Sequence, residues 1–411
     1  METKNPGDFV AISVSETEEK SPARCCAVLA SVIRRTIAGE ICADDSRKLF
    51  HAAKVGLALV LVSLLYMLEV VHDRLGDNAM WAVMTVVVIF ESTAGATISK
   101  GINRVLGTML GGGLGFSVAF LAQGISGAGK AVVIGISVFV FCSTATYIRM
   151  IPSIKKKHDY GAMIFILTYS LVAVSGVRSN QIIKIASDRL SSIFIGFAVC
   201  IFISLFIFPI WCGDELHNSL ASKFDNLACS IEEISEDYIN KPLDKRLEAQ
   251  KRGRGVKCIS VLSSKTTEEN MANFAKWEPM HGRFQFDHPW IRYLRIGELL
   301  RELAVSILAI RACLHSETRI SSQCIDMGTR ERYETVFSLL VYTMRELGDG
   351  IYNMRRYQNE ESMISRLGTM TFSTLETMDG SLFLLQEIVE KVEELIKEVD
   401  GLGKIAGFTD L

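Results

Sequence analysis

The sequence predicts an all-α membrane protein in which six transmembrane helices precede a cytosolic helical domain. Apolar stretches are concentrated between residues 50 and 212, although hydrophobic residues make up 49% of the whole 411-residue chain. Each stretch approaches the ~20 residues that a helix needs to cross the hydrocarbon layer. Charge divides the chain as well, because residues 1–212 carry 19 basic and 14 acidic side chains, whereas residues 213–411 carry 25 and 32. The sequence therefore combines a positively charged membrane half with an acidic, water-soluble half.

A polar arm, residues 1–48, begins the chain, and the membrane domain follows at residues 49–212. The six spans are expected at 49–71, 80–98, 101–122, 131–151, 160–177 and 190–212. Basic residues precede span one and lie between spans two and three and between spans four and five, which places both chain termini in the cytoplasm. Span three carries Gly107, Gly111 and Gly115, each four residues from the next. This stripe predicts close packing against another helix.

Residues 213–411, the cytosolic domain, read as several amphipathic helices, of which the last is the clearest. Its apolar residues recur at helical spacing opposite a face rich in Glu and Lys: Leu385, Ile388, Val389, Val392, Leu395, Ile396 and Val399. Residues 251–270, which begin with Lys-Arg-Gly-Arg-Gly, are expected to form a flexible basic loop.

Basic residues within the apolar stretches are the main functional signal. Six of them lie inside or at the ends of these stretches: Lys54, Lys100, Arg104, Arg149, Arg178 and Arg189. A cation near the middle of a spanning helix costs about 2.5–3.5 kcal/mol on insertion scales, so each needs water, a partner charge or a polar cavity. Between residues 50 and 212, twelve basic side chains stand against six acidic ones. A polar interior with this excess attracts anions.

Several charged residues in these stretches also have a purely structural explanation. Lys100 and Arg104, four residues apart, can simply anchor the start of span three on the cytoplasmic side. Glu91, inside the second span, can pair with a nearby cation, or it can titrate and couple transport to protons. Arg189 can form a local ion pair with Asp188. The spacing by itself leaves these alternatives open.

Patterns typical of enzymes and of metal or nucleic-acid sites are missing from the sequence. The ten cysteines include no Cys-x-x-Cys pair, and His281 and His288 have no Cys or acidic cluster at metal-ligand spacing. There is neither a nucleophile elbow nor a paired-carboxylate arrangement. We therefore expect no enzymatic activity, cofactor, metal or nucleic-acid partner.

Two segments carry a resemblance to a known family. One is Trp81–Glu91 (WAVMTVVVIFE), followed by Gly95-Ala-Thr97 and Lys100-Gly-Ile-Asn-Arg104, and the other is Phe274–Trp290, which contains Trp277-Glu278-Pro279. Together with Asp159-Tyr160-Gly161 and Pro209-Ile-Trp211, these segments are similar to the plant aluminium-activated malate transporter family. The resemblance covers residues 45–350.

The resemblance implies an anion channel that passes malate or inorganic anions, assembled as a homodimer in the lipid of the plasma membrane or the vacuolar membrane. It implies that the anion pore is lined by three basic residues: Lys100, Arg104 and Arg189. It implies a role in folding and gating for the cytosolic motif formed by Trp277, Glu278 and Pro279. Three further residues are possible pore or vestibule groups: Lys54, Arg178 and Glu91.

Two other functions compete with the channel. One is a proton-coupled organic-anion carrier that uses Glu91, and the other is a non-transporting membrane scaffold whose acidic domain recruits partners. Channel currents reverse at the equilibrium potential of the anion, carrier flux follows pH, and a scaffold tolerates neutralisation of the basic residues.

Overall fold

The computed structural model describes residues 43–68, 79–125, 128–175, 182–239, 255–282, 284, 288–320, 327–356, 365 and 380–410. The chain divides into two compact units, Met1–Gly56 and Leu57–Leu411. The first unit contributes only the start of the first helix to the described residues, and the second contains all the contacts discussed below.

The described residues of the apolar half form six helices. They are α1 (Ala43–Met67), α2 (Ala79–Ile89), α3 (Ala94–Leu121), α4 (Ala128–Met150), α5 (Pro152–Ser175) and α6 (Ile182–Phe206). Within the described residues, four segments are long and apolar enough to cross a membrane: Arg47–Met67, Ala94–Gly124, Gly129–Met150 and Arg189–Phe206. Helix α2 is apolar but short, and α5 begins with a run of lysines at 155–157. The protein is therefore a helical membrane protein with four candidate spanning helices.

Helices α2 and α6 end earlier than the spans predicted from the sequence at 80–98 and 190–212. Helix α2 stops at Ile89 because the backbone N–H of Glu91 donates to Thr97 Oγ1, at 3.0 Å, instead of continuing the helical ladder. Thr93 adopts an extended conformation and α3 begins after it, so residues 94–98 belong to α3. Helix α6 likewise stops at Phe206, and Phe208 has a positive φ of 46°. The second break lies in an apolar run, residues 207–211, whereas the first contains three polar residues, Glu91, Ser92 and Thr93, which the expected span 80–98 included.

The glycine stripe packs as the sequence predicts. A β-carbon on Gly107 would collide with the carbonyl oxygen of Gly161 on α5. On Gly111 it would lie 2.6 Å from the carbonyl oxygen of Phe165, and on Gly115 it would lie 3.0 Å from Val172. The absence of side chains at these three positions is what lets α3 lie against α5 along its length.

The second half of the chain forms one helical body with its own apolar core. Its described helices are α7 (Cys212–Ile239), α8 (Val256–Leu262), α9 (Lys265–Ala275), α10 (Trp290–Ile320), α11 (Met327–Asn353) and α12 (Gly380–Ala406). All seven apolar residues predicted for the face of the last helix are buried in this core. A short parallel strand pair, β1 (Arg355–Arg356) with β2 (Thr409–Asp410), joins the ends of α11 and α12.

The prediction of a flexible loop at residues 251–270 is wrong from Gly255 onward. Helices α8 and α9 occupy most of this segment, because Cys258, Val261 and Ala272 enter the apolar core and stabilise them. The basic residues at 251, 252 and 254 dominated the sequence-based expectation, and they lie outside the described residues.

Candidate functional site

Helices α3 and α6 bring together two of the basic residues that the sequence singles out. Arg104 lies on α3 and is buried, with 5% of its surface exposed, and Arg189 lies on the third turn of α6 and is half-buried. The two helices pack against each other. Gly196 allows α2 to approach α6 as well, since a β-carbon there would lie 2.8 Å from the carbonyl oxygen of Ala82. The charges of Arg104 and Arg189 are close enough to act on each other.

Each of these arginines is held by an aromatic side chain. Arg104 Nη1 donates a hydrogen bond to the hydroxyl oxygen of Tyr160 on α5, at 3.0 Å. The guanidinium carbon of Arg189 lies 3.8 Å from the ring centroid of Trp81 on α2, which is a cation–π contact. Within the described residues, the buried Nε atoms of both arginines have no hydrogen-bond acceptor. Each guanidinium group therefore keeps a donor for which the described residues supply no acceptor.

Lys100 lies one turn before Arg104 on α3, and its environment is different. Its ammonium group forms an ion pair with the carboxylate of Glu91. The break between α2 and α3 makes this contact possible, because it turns Glu91 back toward the first turns of α3. Of the two roles that the sequence left open for Glu91, the structure shows the ion pair.

The other candidate residues are less informative. Lys54 lies on α1 and is buried. Arg178 and the side chain of Asp188 lie outside the described residues. Arg149, at the end of α4, forms a two-point ion pair with Asp159, with Nε–Oδ1 and Nη2–Oδ2 distances of 2.5 and 3.1 Å.

Glu278 occupies the junction between the apolar helices and the C-terminal helices. Its Oε1 accepts hydrogen bonds from the backbone N–H groups of Gly95, at 3.2 Å, and Cys212, at 2.6 Å. Its Oε2 accepts a third from Gly213, at 3.1 Å. Gly95 lies in the first turn of α3, and Cys212 and Gly213 begin α7. One carboxylate therefore caps the positive ends of two helices, including the helix that carries Arg104.

The surroundings of Glu278 keep it buried and fixed. Its side chain is 1% exposed, and burial raises its pKa, while the three backbone hydrogen bonds and the nearby His281 oppose that rise. His281 Nδ1 donates to the carbonyl oxygen of Pro279, at 2.9 Å, and its ring stacks on Trp211 with centroids 4.0 Å apart. Trp277 closes the turn after α9 through its backbone N–H, which donates to Phe274 at 2.9 Å.

A buried charge cluster in the C-terminal core was missed at the sequence level. Glu268 on α9 contacts Lys223 on α7, and it accepts a hydrogen bond from Arg301 Nη1 on α10, at 2.6 Å. The sequence does contain a signal for this cluster, because Lys223 falls within the apolar stripe formed by Leu220 and Leu227. A lysine in such a stripe needs a buried partner.

Comparisons with known proteins agree with the motifs. Residues 39–401 match the protein family described as "Aluminium activated malate transporter". The chain is 38% identical over 383 residues to "Aluminum-activated malate transporter 2" of Arabidopsis thaliana, covering 89% of this chain and 76% of that protein. It is 40% identical over 358 residues to "Aluminum-activated malate transporter 10" of the same plant, covering 83% and 71%. It is 35% identical over 393 residues to "Aluminum-activated malate transporter 1" of Triticum aestivum, covering 89% and 84%.

Proposed function

The chain belongs to the aluminium-activated malate transporter family, and from this we propose that it is a channel that passes malate or inorganic anions across a plant membrane. The family is one of transporters rather than enzymes. The relatives named above are plant proteins, and their names specify malate.

The position of Arg104 and Arg189 on two packed helices, within range of each other's charge, is the observation that carries the proposal. The charges of Arg104 and Arg189, on the packed helices α3 and α6, repel each other. Two like charges in an apolar environment are stable only when something offsets the repulsion. The buried Nε donors of both arginines have no acceptor among the described residues. An anion between them would satisfy both requirements, and a permeant anion must also bind weakly enough to leave.

Lys100 has a secondary role in this proposal. Because Glu91 offsets its charge, the local positive potential comes mainly from Arg104 and Arg189. The same ion pair argues against a proton-coupled carrier, since Glu91 would have to leave Lys100 in order to take up a proton. A non-transporting scaffold gives no reason for the juxtaposed arginines.

The membrane arrangement is also part of the proposal. Helices α2 and α5 complete six crossings together with the four candidate spans, which leaves both termini and the C-terminal helices in the cytoplasm. A homodimer surrounded by lipid would double each basic site around its axis. The host membrane is the plasma membrane or the vacuolar membrane.

Trp277, Glu278 and Pro279 would then connect the cytosolic helices to the pore. Glu278 is the direct link, because it holds the first turn of α3 two turns before Arg104. Movement of the C-terminal helices would reach the pore arginine through this cap, which supports a gating role.

Voltage-clamp recording with malate, nitrate or chloride as the charge carrier tests the proposal. We expect a wild-type current that reverses at the equilibrium potential of the anion and is lost in Arg104→Gln and Arg189→Gln. Arg149→Gln is the matched control, because Asp159 already offsets that charge. A surface-located wild type without anion current would contradict the proposal, and flux that follows the proton gradient and is lost in Glu91→Gln would favour the carrier.

A further inference from the structure

Four of the described basic residues on α3, α4 and α6 fall into two classes. Lys100 and Arg149 each pair with a carboxylate, from Glu91 and Asp159. Arg104 and Arg189 instead contact the phenol of Tyr160 and the ring face of Trp81. Within the described residues, neither of these two arginines contacts a carboxylate. This difference suggests separate roles for the two classes.

An aromatic partner fixes a guanidinium group without cancelling its charge. A carboxylate close by would lower the local positive potential and compete with a permeant anion for the same donors. The face of an indole ring attracts the cation through its quadrupole and carries no net charge. A phenol oxygen similarly accepts one N–H bond while remaining neutral. Both partners leave the remaining donors of the arginine available.

Helix packing holds the two aromatic residues in place. Trp81 is near the start of α2, and α2 packs on α6 directly after it, where Gly196 leaves room for Ala82 and Thr85. Tyr160 precedes Gly161, whose missing side chain allows α5 to approach Asn103 on α3. The aromatic groups therefore belong to the rigid helix interfaces, and the long arginine side chains, which have many rotamers, are oriented against them.

We propose that Trp81 and Tyr160 are positioning residues of the anion path, and that Tyr160 also favours polyatomic oxyanions. This inference rests on the proposed function. The hydroxyl oxygen of Tyr160 accepts from Arg104, so its own hydrogen is free to donate. An oxyanion can accept from that hydroxyl and from the unused Nε of Arg104 through two different oxygen atoms. Chloride, a single atom, gains less from two separated donors.

The test is voltage clamp of the full chain with malate or chloride as the only permeant anion, with surface protein measured in parallel. We expect Trp81→Leu to raise the half-saturating malate concentration about fivefold, as loss of a cation–π contact at a half-buried arginine predicts. Trp81→Phe keeps a ring face, so its half-saturating malate concentration should stay close to that of the wild type. Tyr160→Phe should lower the malate-to-chloride permeability ratio about threefold or more, as loss of one hydrogen bond predicts.

Tyr147→Phe is the matched control, because Tyr147 on α4 is exposed and the chemical change is the same. A second readout does not depend on current: malate should raise the unfolding temperature of purified wild type, and this rise should be smaller in Tyr160→Phe than in Tyr147→Phe. Wild-type anion current combined with an unaltered half-saturation in Trp81→Leu and an unaltered ratio in Tyr160→Phe would overturn the positioning role alone. The absence of anion current from surface-located wild type would overturn the proposed function and this inference with it.

Discussion

Glu278→Gln is the sharpest structural test, because it changes one buried atom that joins two helix ends. Gln keeps one oxygen, which can still serve Gly95 and Cys212. Its amide nitrogen replaces Oε2 and meets the N–H of Gly213, so that two donors face each other where a hydrogen bond of 3.1 Å was. The substitution also removes the negative charge at the starts of α3 and α7.

The expected loss of stability follows from these contacts. A hydrogen bond to a charged group contributes about 1.5–3 kcal/mol, and at least one is lost. A negative charge at a partly buried helix N-terminus contributes up to about 2 kcal/mol, and Glu278 serves two such termini. We expect a loss of about 3–5 kcal/mol, which corresponds to a fall of about 4–6 °C in the unfolding temperature of a chain of this length.

The assay is thermal unfolding of the purified protein in detergent, followed by tryptophan fluorescence. Glu394→Gln is the matched control, since Glu394 forms a half-exposed ion pair with Arg295, and such pairs contribute less than about 1 kcal/mol. If Glu278→Gln unfolds within about 2 °C of Glu394→Gln, the double cap does not stabilise the junction and the reasoning is refuted. We further expect Glu278→Gln to shift the voltage dependence of the current, because the cap fixes the start of the helix that carries Arg104.

Three other predictions concern the cores. Glu268→Gln leaves Lys223 and Arg301 buried without their carboxylate and should destabilise the C-terminal helices by about 3–5 kcal/mol, which chemical denaturation will measure. Burial and the nearby His217 lower the pKa of His288 to about 4. The unfolded chain binds this proton near pH 6.5, so stability should fall by up to about 3 kcal/mol as the pH drops from about 6.5 to about 4, seen as a falling unfolding temperature. Gly111→Leu should separate α3 from α5 and lower the yield of folded protein in size-exclusion chromatography, because its side chain would meet the backbone of Phe165.

Controls for these predictions come from the same elements. Gly113→Leu is the same change on α3, two residues away, where a β-carbon meets no atom within 4 Å, so an equal loss of yield would contradict the packing argument. His288→Phe should flatten the acid dependence of stability, and an unchanged pH profile would show that His288 is not its source. Stability of Glu268→Gln equal to that of Glu394→Gln would show that the buried cations find other partners.

Several features could be predicted from the sequence because they depend on residues close together in the chain. The apolar spacing of the last helix and the four-residue glycine repeat of α3 both follow helical periodicity, and both pack as predicted. The family could be recognised from its motifs, since the segments around Trp81 and Trp277 are long and specific. Arg104 and Arg189 could be singled out as candidate functional residues because a cation in an apolar helix is costly.

Tertiary structure decided which atoms those residues meet. Glu278 and Gly95 are 183 residues apart in the chain, and no local pattern relates a carboxylate to backbone N–H groups at that distance. The course of the chain through residues 90–93 depends on hydrogen bonds from Glu91 to Thr97 and from Ala94 to Ile210, and composition does not specify these partners. That break pairs Lys100 with Glu91, whereas Trp81 and Tyr160 contact the arginines from other helices. The sequence by itself determined where the charges lie along the helices, through short-range periodicity. Only the packing of helices distant in sequence decided which of the described charges pair with a carboxylate and which contact an aromatic side chain, because ion pairs and cation–π contacts act over a few ångströms in space regardless of separation along the chain.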